Sequence, residues 1–175
     1  MKCRVAVIGA GVVGLCSAVR IQDSLGDDLE IVIYTEDKSP NTTGDVAAGF
    51  WAPYFIQNTP TEKIIQDCVI LGGTHQINDW NVNPTNVDTT FILDGCAQLV
   101  PALKGAKIIK HQVGLRPGRD FVKLELENRN VDGKIVHIIH NYGHGGCGVT
   151  LCYGCGGEVA ELARVVLRNI RKSKL

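Results

Sequence analysis

The sequence carries no net charge: 18 Lys and Arg balance 18 Asp and Glu, which argues against nucleic acid or another polyanion as a partner. It also lacks any apolar run approaching the ~18–20 residues of a membrane-spanning helix, so no membrane partner is expected. Internal repeats and low-complexity tracts are absent, which removes solenoids and disordered linkers. The short apolar run at residues 5–8 is broken at once by Gly9, Gly11 and Gly14, so no signal peptide is expected. Seven cysteines are an odd number, and thiols of a reducing compartment are expected rather than disulfides.

What is present fits a globular chain. At 175 residues, 45% hydrophobic and 21% charged, it is one ordinary domain or two small ones. A chain of this size buries roughly 70% of its unfolded surface, enough for a core without staples. Residues 1–99 hold 5 basic and 12 acidic side chains, and residues 100–175 hold 13 and 6. Oppositely charged halves attract, so one compact unit is expected.

Residues 4–8 (RVAVI) read as a short strand buried on both faces. Gly9-Ala10-Gly11-Val12-Val13-Gly14 follows, and Leu15, Ala18, Val19, Ile21 and Leu25 then repeat with helical spacing. In this strand–loop–helix setting the first glycine permits the tight turn and the second lets backbone amides approach a pyrophosphate. The third lets the helix lie close on the strand. The helix N-terminus points its free N–H groups at the phosphates. A second strand at residues 30–35 ends at Glu36, close to the ~20-residue spacing expected of the acid that holds an adenosine ribose. An acid there favours FAD or NAD over NADP.

Four further segments carry a resemblance. Thr42-Thr43-Gly44-Asp45-Val46-Ala47-Ala48-Gly49, Gly114-Leu115-Arg116-Pro117, Asn141-Tyr142-Gly143-His144-Gly145-Gly146-Cys147-Gly148-Val149-Thr150 and the final Ser173-Lys174-Leu175 occur in the order found in the D-amino-acid oxidase and D-aspartate oxidase family. The chain resembles that family over nearly its whole length, with Trp51-Ala52-Pro53-Tyr54 and residues 69–73 also similar. Gly72-Gly73-Thr74-His75-Gln76 with Asp79-Trp80-Asn81 looks closer to the D-aspartate oxidases. Only residues 55–68 separate parts that the family places far apart, so this chain holds about half of the family fold.

The resemblance implies an α/β fold. A FAD-binding Rossmann-type (GxGxxG) domain would be built from both chain ends, residues 1–56 and 135–175. Residues 69–134 would be a remnant of an antiparallel-sheet substrate domain, with the middle of the family fold missing at about 56–68. It also implies FAD-dependent oxidative deamination of acidic D-amino acids, D-aspartate and D-glutamate, with oxygen as acceptor. The products would be the 2-oxo acid, ammonia and hydrogen peroxide. The alternatives are a neutral D-amino-acid oxidase, or an inactive shortened isoform acting as an interaction module.

Residue by residue, the family match puts Arg116 on the substrate carboxylate, a task suited to a planar bidentate guanidinium. The Gly146 carbonyl would meet the substrate amine. His75 falls where the D-aspartate oxidases place an arginine for the side-chain carboxylate, and a histidine can serve there only when protonated. No catalytic general base is required, because the substrate amine can lose its proton before hydride leaves. The FAD positions are Gly9, Ala10, Gly11, Val12, Gly14, Glu36, Asp37, Thr42, Thr43, Gly44, Ala48, Gly49, Phe50, Gly145, Gly146, Gly148, Val149 and Thr150. Ser173-Lys174-Leu175 has the form of the peroxisomal address, implying the import receptor as partner and the peroxisome matrix as location.

Cys147, Cys152 and Cys155 have iron–sulfur spacing, with Cys96 as a distant fourth thiolate; His140 and His144 with two of the cysteines could instead hold zinc. The glycines of residues 143–148 are already explained by close approach to a cofactor, so no metal is expected. Further strands are expected at residues 69–71, 91–93, 108–109, 122–126 and 134–140, the last two joined by a turn at Asp132-Gly133. A helix is expected at residues 157–172, with Val159, Leu162, Ala163, Val166, Leu167 and Ile170 as its apolar stripe.

Overall fold

The computed structural model describes residues 3–26, 29–47 and 69–172. The β-branched run at the N-terminus forms strand β1 (Cys3–Ile8), the apolar-periodic stretch after the glycine loop forms helix α1 (Val12–Leu25), and strand β2 (Leu29–Tyr34) returns beside β1. The two strands are parallel, in register from Cys3↔Leu29 to Ile8↔Tyr34.

Helix α2 (Asn86–Leu99) comes next, followed by strands β3 (Gly118–Val131) and β4 (Lys134–His144) and helix α3 (Gly148–Lys172). β3 and β4 pair antiparallel from Lys123↔Tyr142 to Val131↔Lys134. Their turn bears out the Asp132-Gly133 expectation, with φ of 50° and 78°. Both values are left-handed, as a two-residue hairpin requires.

The core lies where α3 crosses α1 and the parallel pair. Ile21, Leu29, Val159, Ala160 and Ala163 are buried together, with Val5, Ile31, Ile139 and Leu167 packed around them. Burial of a side chain such as Ile21 is worth about 1.5–3 kcal/mol. Gly156 makes the helix crossing close: a Cβ there would stand 2.9 Å from the Cys16 carbonyl oxygen and 3.0 Å from Arg20 Cγ. The freed space holds Arg20, whose guanidinium stacks 4.6 Å from the Tyr153 ring centroid.

Five expectations are corrected. β1 is not buried on both faces: Arg4, Ala6 and Ile8 are exposed, because among the described residues the core packs only against the face that bears Val5. Residues 91–93 belong to α2, not to a strand, because Thr85 caps that helix by accepting the Asp88 N–H at 3.0 Å. The Thr85 hydroxyl in turn donates to the Asp88 carboxylate at 2.6 Å. Residues 69–71 and 108–109 form no strand. α3 begins nine residues before the expected start at 157, since close packing of Gly156 on α1 outweighs the poor helix propensity of glycine. The chain also divides into two units rather than one, Met1–Asp45 with Arg116–Leu175 and Val46–Leu115. β3 pairs with β4 along most of its length and so groups with the chain ends. Among the described residues, no helix is long and apolar enough to cross a membrane.

Candidate functional site

The turn after β1 is held to the end of β2 by two amides. Gly9 N–H donates to the Tyr34 carbonyl at 2.7 Å, and Ala10 N–H to Thr35 Oγ1 at 3.2 Å. Gly9 has φ of 100°, and Gly14 packs so tightly on it that a Cβ at 14 would clash with the Gly9 carbonyl oxygen. This contact seats the first turn of α1 on the strand. Gly11 caps α1 in extended conformation with no side-chain cap, and no acid lies in the first turn. Nothing stands within 4 Å of the place a Gly11 Cβ would occupy. Leading N–H groups, the positive end of the helix dipole and an open approach together suit an anion.

Residues 42–46 lie beside that helix start. A Cβ on Gly44 would be 3.8 Å from Val12 Cβ. Thr43–Val46 forms one 3-10 turn, secured by the Asp45 carboxylate. That carboxylate accepts from Ser39 Oγ at 2.6 Å, Thr42 N–H at 2.8 Å and Thr42 Oγ1 at 2.6 Å. These bonds, the Ser39 hydroxyl first, hold the Asp45 carboxyl below its usual range. Glu36 and Asp37 follow β2 and are exposed, and the Thr35 hydroxyl bonds the Asp37 carbonyl. The structure thus brings Gly9, Ala10, Gly11, Val12, Gly14, Thr42, Thr43 and Gly44 to one end of the parallel pair. Ala48, Gly49, Phe50 and Ser173-Lys174-Leu175 lie outside the described residues.

A second cluster forms where β4 gives way to α3. Gly145 N–H donates to the Pro117 carbonyl at 3.0 Å, and Gly118 N–H to the Arg116 carbonyl at 2.9 Å, fixing Arg116 and Pro117 beside the glycine loop. Arg116 Nε lies 3.8 Å from the place a Gly146 Cβ would occupy. Two positions 30 apart in sequence, both expected at the substrate, therefore meet. Gly145 opens a 3-10 turn, and Gly148, Val149 and Thr150 begin α3. The neighbouring Arg119 is occupied differently, its guanidinium 5.5 Å from the Tyr142 ring centroid. His75 is exposed and belongs to the other unit.

Two features escaped the sequence reading. Asn141 Nδ2 donates to Ser17 Oγ at 2.9 Å, and Ser17 Oγ to the Val13 carbonyl at 2.8 Å, tying the end of β4 to the first turns of α1. His144 is buried, and burial holds its basicity below the usual histidine value. Among the described residues, no three or more His, Cys, Asp or Glu are placed together to hold an ion. The Cys16 and Cys152 thiols, both free, hydrogen-bond across the α1–α3 contact, and burial first, then that bond, pushes the Cys16 thiol up to about 11.

Comparison with known proteins places the chain in a family. The family model described as DAO, FAD dependent oxidoreductase, matches residues 54–162. A D-amino acid oxidase of Dugesia ryukyuensis is 48% identical over 101 residues, covering 57% of this chain and 30% of the relative. A D-amino-acid oxidase of Rubrobacter xylanophilus is 48% identical over 101 residues, covering 58% and 30%. The human D-aspartate oxidase is 40% identical over 124 residues, covering 69% of this chain and 36% of its own. The chain thus spans between 30% and 36% of the length of these curated relatives.

Proposed function

The chain belongs to the DAO family of FAD-dependent oxidoreductases, and from that premise we propose that it carries the flavin and substrate elements for oxidative deamination of D-amino acids, acidic ones foremost. The adjacency of Arg116 and Gly146 carries the reading. A guanidinium can clamp the substrate α-carboxylate by two parallel hydrogen bonds, while the Gly146 carbonyl accepts from the α-amine. That two-point hold orients the α-carbon, and orientation is the protein's main contribution to a flavin reaction.

The residues present fit a dinucleotide. The uncapped N-terminus of α1 and the open side of Gly11 suit the pyrophosphate, the carboxylate of Glu36 or Asp37 the ribose hydroxyls, and Thr42 to Gly44 the middle of the cofactor. Gly145, Gly148, Val149 and Thr150 would line the isoalloxazine. Bound FAD supplies the acceptor for the hydride. The substrate amine would shed its proton beforehand; the imino acid left by hydride loss would take up water to give the 2-oxo acid and ammonia, and the two electrons with two protons would pass to oxygen as hydrogen peroxide. His75 would meet an acidic side chain. In this reading the peroxisome receives the chain through Ser173-Lys174-Leu175, where the peroxide formed can be destroyed.

Purified 175-residue protein, mixed with FAD and passed through gel filtration, tests the proposal. Flavin absorbance retained near one per chain, with peroxide release from D-aspartate above that from D-alanine, supports it. The reverse substrate order supports neutral D-amino-acid oxidation, which the relatives named D-amino acid oxidase favour.

A colourless protein favours a second reading, an inactive shortened isoform acting as an interaction module. One observation speaks for that reading. Parallel pairs normally bury both faces, yet here Ile8 is 80% and Tyr34 57% exposed. Co-purification with a longer oxidase, without flavin of its own, would establish it.

A further inference from the structure

A buried imidazole is costly while a ring nitrogen goes unpaired. Two histidines of the hairpin are paired: His140 Nε2 lies 2.8 Å from Glu127 Oε2, and His137 Nδ1 lies 2.6 Å from Asn128 Oδ1. His144, the last residue of β4, is the exception. It is 6% exposed, and its buried Nε2 has no hydrogen-bond partner among the described residues.

Its surroundings say what kind of partner fits. A Cβ on Gly148, the first residue of the 25-residue helix α3, would lie 3.8 Å from His144 Cβ. The next residue, Gly145, is fixed on Pro117, and the one after faces Arg116. His144, with its unpaired ring nitrogen, therefore stands at the head of a long helix, one residue before the glycine that is bonded to Pro117. Burial keeps the ring neutral, and a neutral imidazole offers one donor and one acceptor. A flat heterocycle with ring carbonyls and ring nitrogens on its edge supplies either partner.

We propose that His144 is a flavin-contacting residue whose Nε2 hydrogen-bonds a polar edge atom of the isoalloxazine. The inference rests on the FAD reading above and adds to it a side chain for which the sequence offered only the zinc alternative. It has a signature that a packing role lacks. Without flavin, an unpaired buried nitrogen destabilises the chain, so replacement by an apolar side chain is neutral or stabilising. With flavin, the same replacement loses a hydrogen bond and weakens binding about three- to tenfold.

The test is FAD titration by flavin fluorescence on the 175-residue chain, with thermal melts in the absence of FAD, for wild type, His144→Leu and His144→Gln. His144→Leu is expected to melt no lower than wild type while binding FAD about three- to tenfold more weakly. His144→Gln, which keeps a donor and an acceptor, is expected to recover most of the affinity. A His144→Leu chain that binds FAD as wild type does overturns the inference and leaves the functional reading intact. A lower melting point with unchanged FAD affinity shows the ring paired within the chain and also overturns it. Wild type that binds no FAD overturns the functional reading and the inference together. Should the variants not fold, the ¹⁵N resonance of His144 Nε2 in wild type decides: a shift on FAD addition supports the contact, and none refutes it.

Discussion

Asn141 donates to the Ser17 hydroxyl at 2.9 Å across 124 residues of sequence, joining the end of the antiparallel hairpin to the first helix. Ser17 keeps its own donation to the Val13 carbonyl, so losing Asn141 removes one bond without orphaning the hydroxyl proton. Asn141→Leu is therefore expected to destabilise the chain by about 1 kcal/mol. Adding Ser17→Ala should cost less than it does in the wild-type background, because the two share one bond. Urea midpoints of the two single variants and the double variant give the coupling.

Gly14 and Gly11 should respond in opposite ways to alanine. At Gly14 the new methyl meets the Gly9 carbonyl oxygen, and overpacking of this kind costs about 1–3 kcal/mol. At Gly11 φ is −71° and the space is empty, so stability should stay within about 0.5 kcal/mol. FAD affinity should fall in both, since the methyl at Gly11 stands where a pyrophosphate would approach. Thermal melts beside FAD titrations separate the two roles. An unaltered FAD affinity in Gly11→Ala would place the phosphates elsewhere.

Arg116 and Arg119 form an internal control. Arg119 already lies against the Tyr142 ring, whereas Arg116 faces Gly146. With a flavin-loaded, active protein, Arg116→Lys is expected to raise KM for D-aspartate at least about tenfold, because an ammonium cannot make the bidentate contact. Arg119→Lys should change KM less than about threefold. Initial-rate measurements of both variants decide the assignment.

Burial lowers the His144 pKa from its ordinary value of 6.5, and the sign of the pH effect follows. Where the unfolded chain holds the proton and the folded chain does not, acid favours unfolding. Stability from this group is complete above the unfolded value and is lost as pH falls through the folded one. Urea midpoints should therefore drop between pH 7 and pH 5, and His144→Gln should flatten that part of the profile. A profile with the same slope in the variant would assign the acid sensitivity to other groups.

Much of this molecule was settled by local pattern. The β-branched run before Gly9, the apolar period through Ile21 and the Asp132-Gly133 turn each specify their element from neighbouring residues alone, and each element formed, though β1 is not buried on both faces as expected. Arg116 was singled out by its match to the family's substrate arginine, in a segment held by Gly114 and Pro117, and the structure sets it beside Gly146. Phe91-Ile92-Leu93 misled because three consecutive apolar residues fit strand and helix alike. The Thr85–Asp88 cap decides for the helix, and it too is a local signal.

Tertiary structure decided what depends on distance along the chain. Local propensity argues against a helix through Gly154, Gly156 and Gly157. α3 passes through them because a residue without a side chain lets it lie on the Cys16 carbonyl, and that contact exists only once α1 is in place. The meeting of Arg116 with Gly146, the bond from Asn141 to Ser17 and the burial of His144 are of the same kind. Sequence supplied the chemical groups; the packing of β4 and α3 onto α1 set their distances and removed water from them, and those two quantities govern hydrogen bonding and basicity.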